Sequence, residues 1–220
     1  MPGLRLPNKH TDHGNHTGPA RSLYWLLDPG MKTSLQFHEQ AKFLRESSGS
    51  TNIEKTLIKA VKVFALFHIP HYVCDGFAVQ ELGYPRFTVD VDIIVPDVQF
   101  TREKLCMNGF KANPGSKMTL TDRETKVEID LLPAGSKVDP GPLTLPVPTH
   151  VSDKPQIITL EGLISSKLST YIGRGIDRAQ DLADVVKLIQ ANHLSREFGV
   201  DPKVRDLYHN MWDELHAKKS

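Results

Sequence analysis

Residues 86–96 read RFTVDVDIIVP, and how this stretch is read decides the fold. Val89, Val91 and Ile93 recur with the period of two that lays one face of a strand against a core. The aliphatic run through Ile94 and Val95 makes it a central strand rather than an edge. The other face carries Asp90 and Asp92. Aspartate is a poor strand former, and two carboxylates about 7 Å apart on one face repel unless something cationic lies between them. Side chains two apart on a strand point the same way, as a pair of divalent ions about 3.5–4 Å apart requires. A neighbouring strand has to supply a third carboxylate, and residues 126–132, KVEIDLL, do so. There Val127, Ile129 and Leu131 point to one side while Glu128 and Asp130 point to the other. Asp90 and Asp92, with Glu128 or Asp130 as the third carboxylate, would make a hard-oxygen cradle suited to Mg²⁺.

The elements around this pair follow from pattern. In residues 52–69 the apolar positions Ile53, Leu57, Ile58, Val61, Phe64, Ala65 and Phe67 approximate a helical period, with Lys55, Lys59 and Lys62 on the wet side and Thr51 or Asn52 as the cap. Pro70 ends that helix, residues 71–74 form a short strand, and residues 75–85 turn into a brief helix. Residues 99–110 read as a helix closed by Gly109, and residues 116–122 and 126–133 as the two strands of a hairpin. Six prolines between Pro133 and Pro155 interrupt the pattern. Beyond them residues 160–172, 176–193 and 202–219 read as three helices, the second burying Leu182, Val185, Val186 and Ile189. The predicted class is α+β: a small mixed sheet flanked by helices, with a C-terminal helical segment. The predicted organisation is a flexible arm over residues 1–22, a core with N-terminal helices over 23–135, a Pro-rich connector over 136–155 and a helical segment over 156–220.

Composition narrows the function. Lys and Arg total 27 against 26 Asp and Glu, so no overall field holds nucleic acid or an anionic membrane, and a phosphate has to be gripped locally. No apolar run is long enough to cross a bilayer and no secretory leader is visible, which makes the cytoplasm the expected location. Cys74 and Cys106 fall in interior-looking segments and are expected to stay reduced. His10, His13 and His16, in a polar tail, are assigned no metal. The His68–His71 pair sits where a helix hands over to a strand and reads as packing.

Gly76 lies 14 residues before Asp90, at a strand-to-helix turn where a missing side chain lets a ligand approach the backbone and N–H groups suit a phosphate. With that glycine in place, residues 72–96, YVCDGFAVQELGYPRFTVDVDIIVP, resemble the first motif of the DNA polymerase β-like nucleotidyltransferase superfamily, a glycine pair followed by D-x-D in a strand. KVEIDLL resembles its second motif. Residues 163–188, LISSKLSTYIGRGIDRAQDLADVVKL, are similar to the Lys, Arg and Asp-Asp helical segment of the subgroup containing AbiEii-type toxins and small antibiotic nucleotidyltransferases. The likeness spans roughly Tyr72 to Leu188.

The resemblance implies transfer of a nucleoside monophosphate from an NTP to an acceptor hydroxyl on an RNA, a protein or a small molecule. It implies that Asp90, Asp92 and Asp130 hold the ions, with Asp130 helping to deprotonate the acceptor and Glu128 in reserve for that role. Gly76, Lys167, Arg174 and Arg178 would meet the nucleotide, the three cations neutralising its phosphates, and Asp181 and Asp184 would orient them. Arg174, Arg178 and Asp181 also fit an ordinary solvated helix face. One position departs from the pattern: Asp75 stands where the first glycine of the pair belongs. Either it turns aside and caps a helix beginning near Phe77, or the nucleotide site is altered and the chain is a binding or regulatory protein on the same fold. A glycosyltransferase also uses D-x-D, but needs several βαβ units before it, and only one short strand precedes Asp90 here.

Overall fold

The computed structural model describes residues 51–138 and 140–217, all of which fall within one compact unit. The predicted arm, the apolar clusters of residues 22–46 and the three tail histidines lie outside the described residues. Helix α1 (Asn52–Leu66) opens on a capping box. Thr51 Oγ1 accepts from Glu54 N at 3.2 Å, and Glu54 Oε2 accepts from Thr51 N at 2.9 Å. Then follow β1 (Tyr72–Cys74), α2 (Asp75–Glu81), β2 (Asp90–Val95), α3 (Val98–Met107), β3 (Phe110–Ala112), β4 (Thr119–Asp122) and β5 (Glu128–Pro133). The C-terminal segment is α4 (Leu160–Arg174), a 3₁₀ turn (Gly175–Arg178), α5 (Ala179–Ala191), a second 3₁₀ turn (Pro202–Val204) and α6 (Arg205–Ala217). This is an α+β fold with a mixed sheet flanked by helices.

The sheet has five strands in the order β1-β2-β5-β4-β3. Among the described strand pairs only β2–β5 is parallel, with one isolated parallel bridge between Val73 and Ile157. Each face has its own core. Val91, Ile93, Val95, Ile129 and Leu131 pack against Leu57, Ala60, Val61 and Phe64 of α1 and Leu105 of α3. Ile94, on the opposite face, packs with Ala78 and Val79 of α2 and with Leu163, Ile164, Leu168, Val185 and Leu188 of α4 and α5. Burying one such aliphatic side chain is worth about 1.5–3 kcal/mol, so two full layers hold the sheet from both sides. The acidic face of β2 is therefore the face covered by the C-terminal helices.

Three expectations need correction. Val89 does not join the buried stripe: it is 65% exposed and the strand begins at Asp90. The physical reason is pairing, since β1 reaches only Asp92 and β5 begins opposite Asp90, so neither neighbour extends the ladder to residue 89. A third strand, β3, follows Gly109 and pairs with β4 at the sheet edge. Three residues with an exposed Lys111 carry no readable alternation. In α5 the inward stripe is Val185, Leu188 and Ile189 together with Asp181 and Asp184, while Leu182 and Val186 are only half-buried.

Part of the Pro-rich stretch is paired with itself. Gly135 N donates to Leu145 O at 3.0 Å, Leu145 N to Ser136 O at 2.8 Å and Val138 N to Leu143 O at 2.7 Å, which makes residues 135–145 a small hairpin. It lies directly on α4: a Cβ at Gly141 would meet Ser169 O at 2.2 Å, and one at Gly173 would meet Gly141 N at 2.7 Å. His71 is fully buried, its ring 5.0 Å from Phe64, and burial lowers its pKa. Both cysteines are free. Among the described residues no helix is long and apolar enough to cross a membrane.

Candidate active site

The register of the central strands brings the predicted carboxylates to one face. Asp92 of β2 is the partner of Asp130 of β5, and Asp90 is the partner of Glu128. On the far side of β2 its partner is Cys74. A row Cys74, Asp92, Asp130 thus crosses three strands, on the side that α4 covers. Burial pushes the Asp92 carboxyl up to about 8, with repulsion from Asp75, Asp90 and Asp130 adding to it and Lys167 opposing. Asp130 Oδ1 is buried without a hydrogen-bond partner. A buried carboxylate oxygen facing another carboxylate needs a proton, a cation or a hydrogen-bond donor, and Asp130 Oδ1 has no such donor among the described residues. The oxygen-only donor set suits Mg²⁺ or Mn²⁺.

The trio is not drawn together as tightly as the strand pattern alone suggests. Asp90 is turned toward Thr88, whose Oγ1 donates to Asp90 Oδ1 at 3.1 Å. Glu128 is exposed at the rim and accepts from Asn113 Nδ2 at 2.7 Å. A different trio, Asp75, Asp181 and Asp184, has oxygens that all lie within 4.8 Å of one another and could hold a metal ion. Its centre already has a positive charge. Lys167 Nζ lies 2.6 Å from Asp75 Oδ1, 2.9 Å from Asp181 Oδ1 and 2.9 Å from Asp184 Oδ2. A divalent ion there would have to displace the ammonium, and among the described residues Asp90, Asp92 and Asp130 do not form a group with oxygens gathered that closely.

Lys167 is the hub of this second cluster. Its side chain is 4% exposed; burial alone would lower its pKa, but Asp75, Asp181 and Asp184 outweigh that and raise it. Asp184 is fully buried and also takes Arg86 Nη1 at 2.5 Å and Gln180 Nε2 at 2.9 Å. Asp181 and Asp184 face inward because they lie three apart on α5, on the side that packs against α4. A solvated surface face is thereby corrected for Asp181. Arg178 is partly exposed, its Nε 4.0 Å from Asp181 Oδ2.

Asp75 does not cap α2. The cap position is Cys74, which makes no side-chain cap bond. Asp75 has φ 49°, left-handed backbone in which glycine is at ease and aspartate is tolerated. Its carboxylate reaches Lys167 and lies 4.0 Å from Arg86 Nη1. Burial raises its pKa, and the pull of Lys167, with help from Arg86 and Arg178, brings it below the ordinary value. Gly76 is buried, and the space a side chain would need is filled: a Cβ there would lie 2.6 Å from Thr88 Oγ1 and 3.2 Å from Arg86 Nη2. The glycine is thus required by close packing of α2 on the approach to β2.

A cleft of about 580 Å³ reaches Asp92 and part of the Lys167 cluster, while Asp90, Asp130, Arg86 and Asp184 are not in its lining. Asp92, Asp75, Lys167, Arg174, Arg178 and Asp181 line it, with Lys137 from the hairpin and an apolar floor of Ile94, Leu132, Val138, Leu145 and Leu163. Arg86, Thr88 and Lys137 are the site residues that the sequence reading missed. Arg86 had a signal, because two inward aspartates on α5 need more than the single cation of Lys167. Lys137 had none, lying in a segment read as a connector.

No family model and no curated protein matches the sequence. Among solved structures the chain is similar to the antibiotic-resistance factor ANT(2'')-Ia, with 13% identity and a TM-score of 0.45, covering 75% of this chain and 95% of that one. At that distance the likeness carries no function across.

Proposed function

We propose that the chain is a metal-dependent nucleotidyltransferase that moves a nucleoside monophosphate from an NTP to an acceptor hydroxyl. The observation that carries this reading is the Asp92–Asp130 register on the two parallel central strands, with Asp92 lining a cleft that Lys137, Arg174 and Arg178 also line. Asp92 and Asp130 would hold Mg²⁺ or Mn²⁺, with Asp90 joining once it releases Thr88. Such an ion supplies Lewis-acid stabilisation of charge on the phosphate oxygens. The acceptor oxygen attacks the α-phosphorus, the bond to the bridging oxygen breaks, and pyrophosphate leaves. Asp130, the register partner of Asp92, would take the acceptor proton. Arg174, Arg178 and Lys137 neutralise the phosphate chain from the cleft wall, and Lys167 holds Asp75, Asp181 and Asp184 in position behind it.

The subgroup suggested by the sequence, AbiEii-type toxins and antibiotic nucleotidyltransferases, implies an acceptor that is RNA, protein or a small molecule. The test is a panel of α-labelled NTPs with Mg²⁺ or Mn²⁺ and acceptors of all three kinds. Label transferred to one acceptor class, lost in Asp92→Asn, is expected. No product from any acceptor, with no NTP-induced thermal shift, counts against it. A second reading, a catalytically degenerate binding protein, is favoured by the Asp75–Lys167 pair, a carboxylate already on the lysine that the resemblance assigns to the phosphates.

A further inference from the structure

The second cluster holds three carboxylates, Asp75, Asp181 and Asp184, and three cations, Lys167, Arg86 and Arg178. Asp181 and Asp184 are buried and anchored from α5, and they fix Lys167 and Arg86 in place. Asp75 differs from them. It is 38% exposed, comes from α2 rather than α5, and lines the cleft together with Asp181. Its backbone sits at φ 49°, so the fold at this point is one that glycine adopts without strain. What the side chain contributes is one anionic oxygen, 2.6 Å from Lys167 Nζ and 4.0 Å from Arg86 Nη1, within electrostatic reach of Arg178.

We propose that Asp75 is an internal anion filling a cation-lined seat for a phosphate chain, and that it thereby sets how tightly the cleft takes a nucleoside triphosphate. The third hydrogen-bonding position of Lys167 is the seat. A phosphate oxygen there has the same partners as the Asp75 carboxylate, with Arg174 and Lys137 lining the same cleft for the rest of the chain. While Asp75 holds the seat, the six charges cancel, three against three. With Asp75 neutralised the cluster is left with one net positive charge facing the cleft. A purely structural Asp75 would matter only for holding Lys167, which keeps Asp181 and Asp184 without it.

The inference rests on the proposed nucleotide chemistry only for the choice of ligand. Its test uses the full chain, metal-free in chelator, with inorganic tripolyphosphate as the probe and calorimetry as the readout. Asp75→Asn removes the charge at constant size, and Asp75→Gly removes the side chain while accepting the left-handed backbone. Asp213→Asn, which removes an equal charge beside Arg196 on α6, is the control. Both Asp75 variants are expected to bind at least about tenfold more tightly than the parent, with Asp213→Asn within about twofold. Adding Arg178→Gln to Asp75→Asn should take back part of the gain. Circular dichroism identifies which variants are folded, and either folded Asp75 variant decides the matter. Equal or weaker binding, or an equal gain in the control, overturns the proposal. A gain in tripolyphosphate binding without nucleotidyl product from any acceptor would leave the seat standing and remove the transferase reading. Transfer by the parent without any gain would do the reverse.

Discussion

Asp92 and Asp130 are register partners across the single parallel pair at the centre of the sheet, so two carboxylates face each other where the sequence of either strand alone shows only a polar position. Replacing either by Asn keeps shape and removes charge. Transfer is expected to fall by on the order of 10²-fold or more, while the metal-free protein at pH 8 melts at a higher temperature because a buried repulsion is gone. Labelled product formation and thermal melts measure the two effects, and a loss of activity accompanied by a lower melting temperature would point to damage of the fold instead.

The raised Asp92 pKa has a definite sign. Its folded value of about 8 lies above the ordinary 3.8, so its contribution to stability is fully present below about pH 3.8 and is lost as pH rises through 8. Asp75 and Asp122, both held below the ordinary value, act in the opposite direction and lose their contribution on acidification. Metal-free melts from pH 6 to 9 should therefore fall, and Mn²⁺ should restore more at pH 8.5 than at pH 6. Asp92→Asn should flatten the slope. A metal effect that is the same at both pH values would dissociate Asp92 from the ion.

Lys167 compensates three carboxylates at once. Lys167→Met leaves Asp181 and Asp184 buried with only Arg86 and Arg178 nearby and is expected to cost about 3–5 kcal/mol in chemical denaturation. Adding Asp184→Asn to Lys167→Met should recover part of that loss. If the double variant is the less stable of the two, the acids are not what the lysine compensates.

Legibility from sequence followed periodicity and distance. The D-x-D strand, the second acidic strand and the helices of residues 52–69 and 160–217 were readable because each has a local pattern. The edge strand β3 was not, since three residues carry no period. The partner of Asp92 could be named because both strands show alternation, but the turn of Asp90 toward Thr88 depends on a loop conformation that no pattern encodes. The Lys167 cluster was half legible: its residues could be named, yet their mutual burial, and the entry of Arg86 and Asp75, depend on how α4 and α5 lie on the acidic face.

The hairpin of residues 135–145 gives the last test, because it supplies Ser136, Lys137, Val138 and Leu145 to the cleft wall and is held on α4 by two glycines in contact. A Cβ at Gly173 would lie 2.7 Å from Gly141 N, 2.7 Å from Pro140 Cγ and 2.8 Å from Pro140 C, so alanine has to push a backbone that no rotamer change can move. Gly173→Ala is expected to cost about 1–3 kcal/mol. It should raise the KM for NTP more than it lowers kcat, because the hairpin contributes a wall and a cation while Asp92 and Asp130 stay on the sheet. Gly199→Ala, where an added Cβ meets nothing within 4 Å, is the matched control and should leave both stability and KM near the parent values. A fall in kcat at unchanged KM in Gly173→Ala would mean that the hairpin acts on the chemistry itself and not on the seating of the substrate.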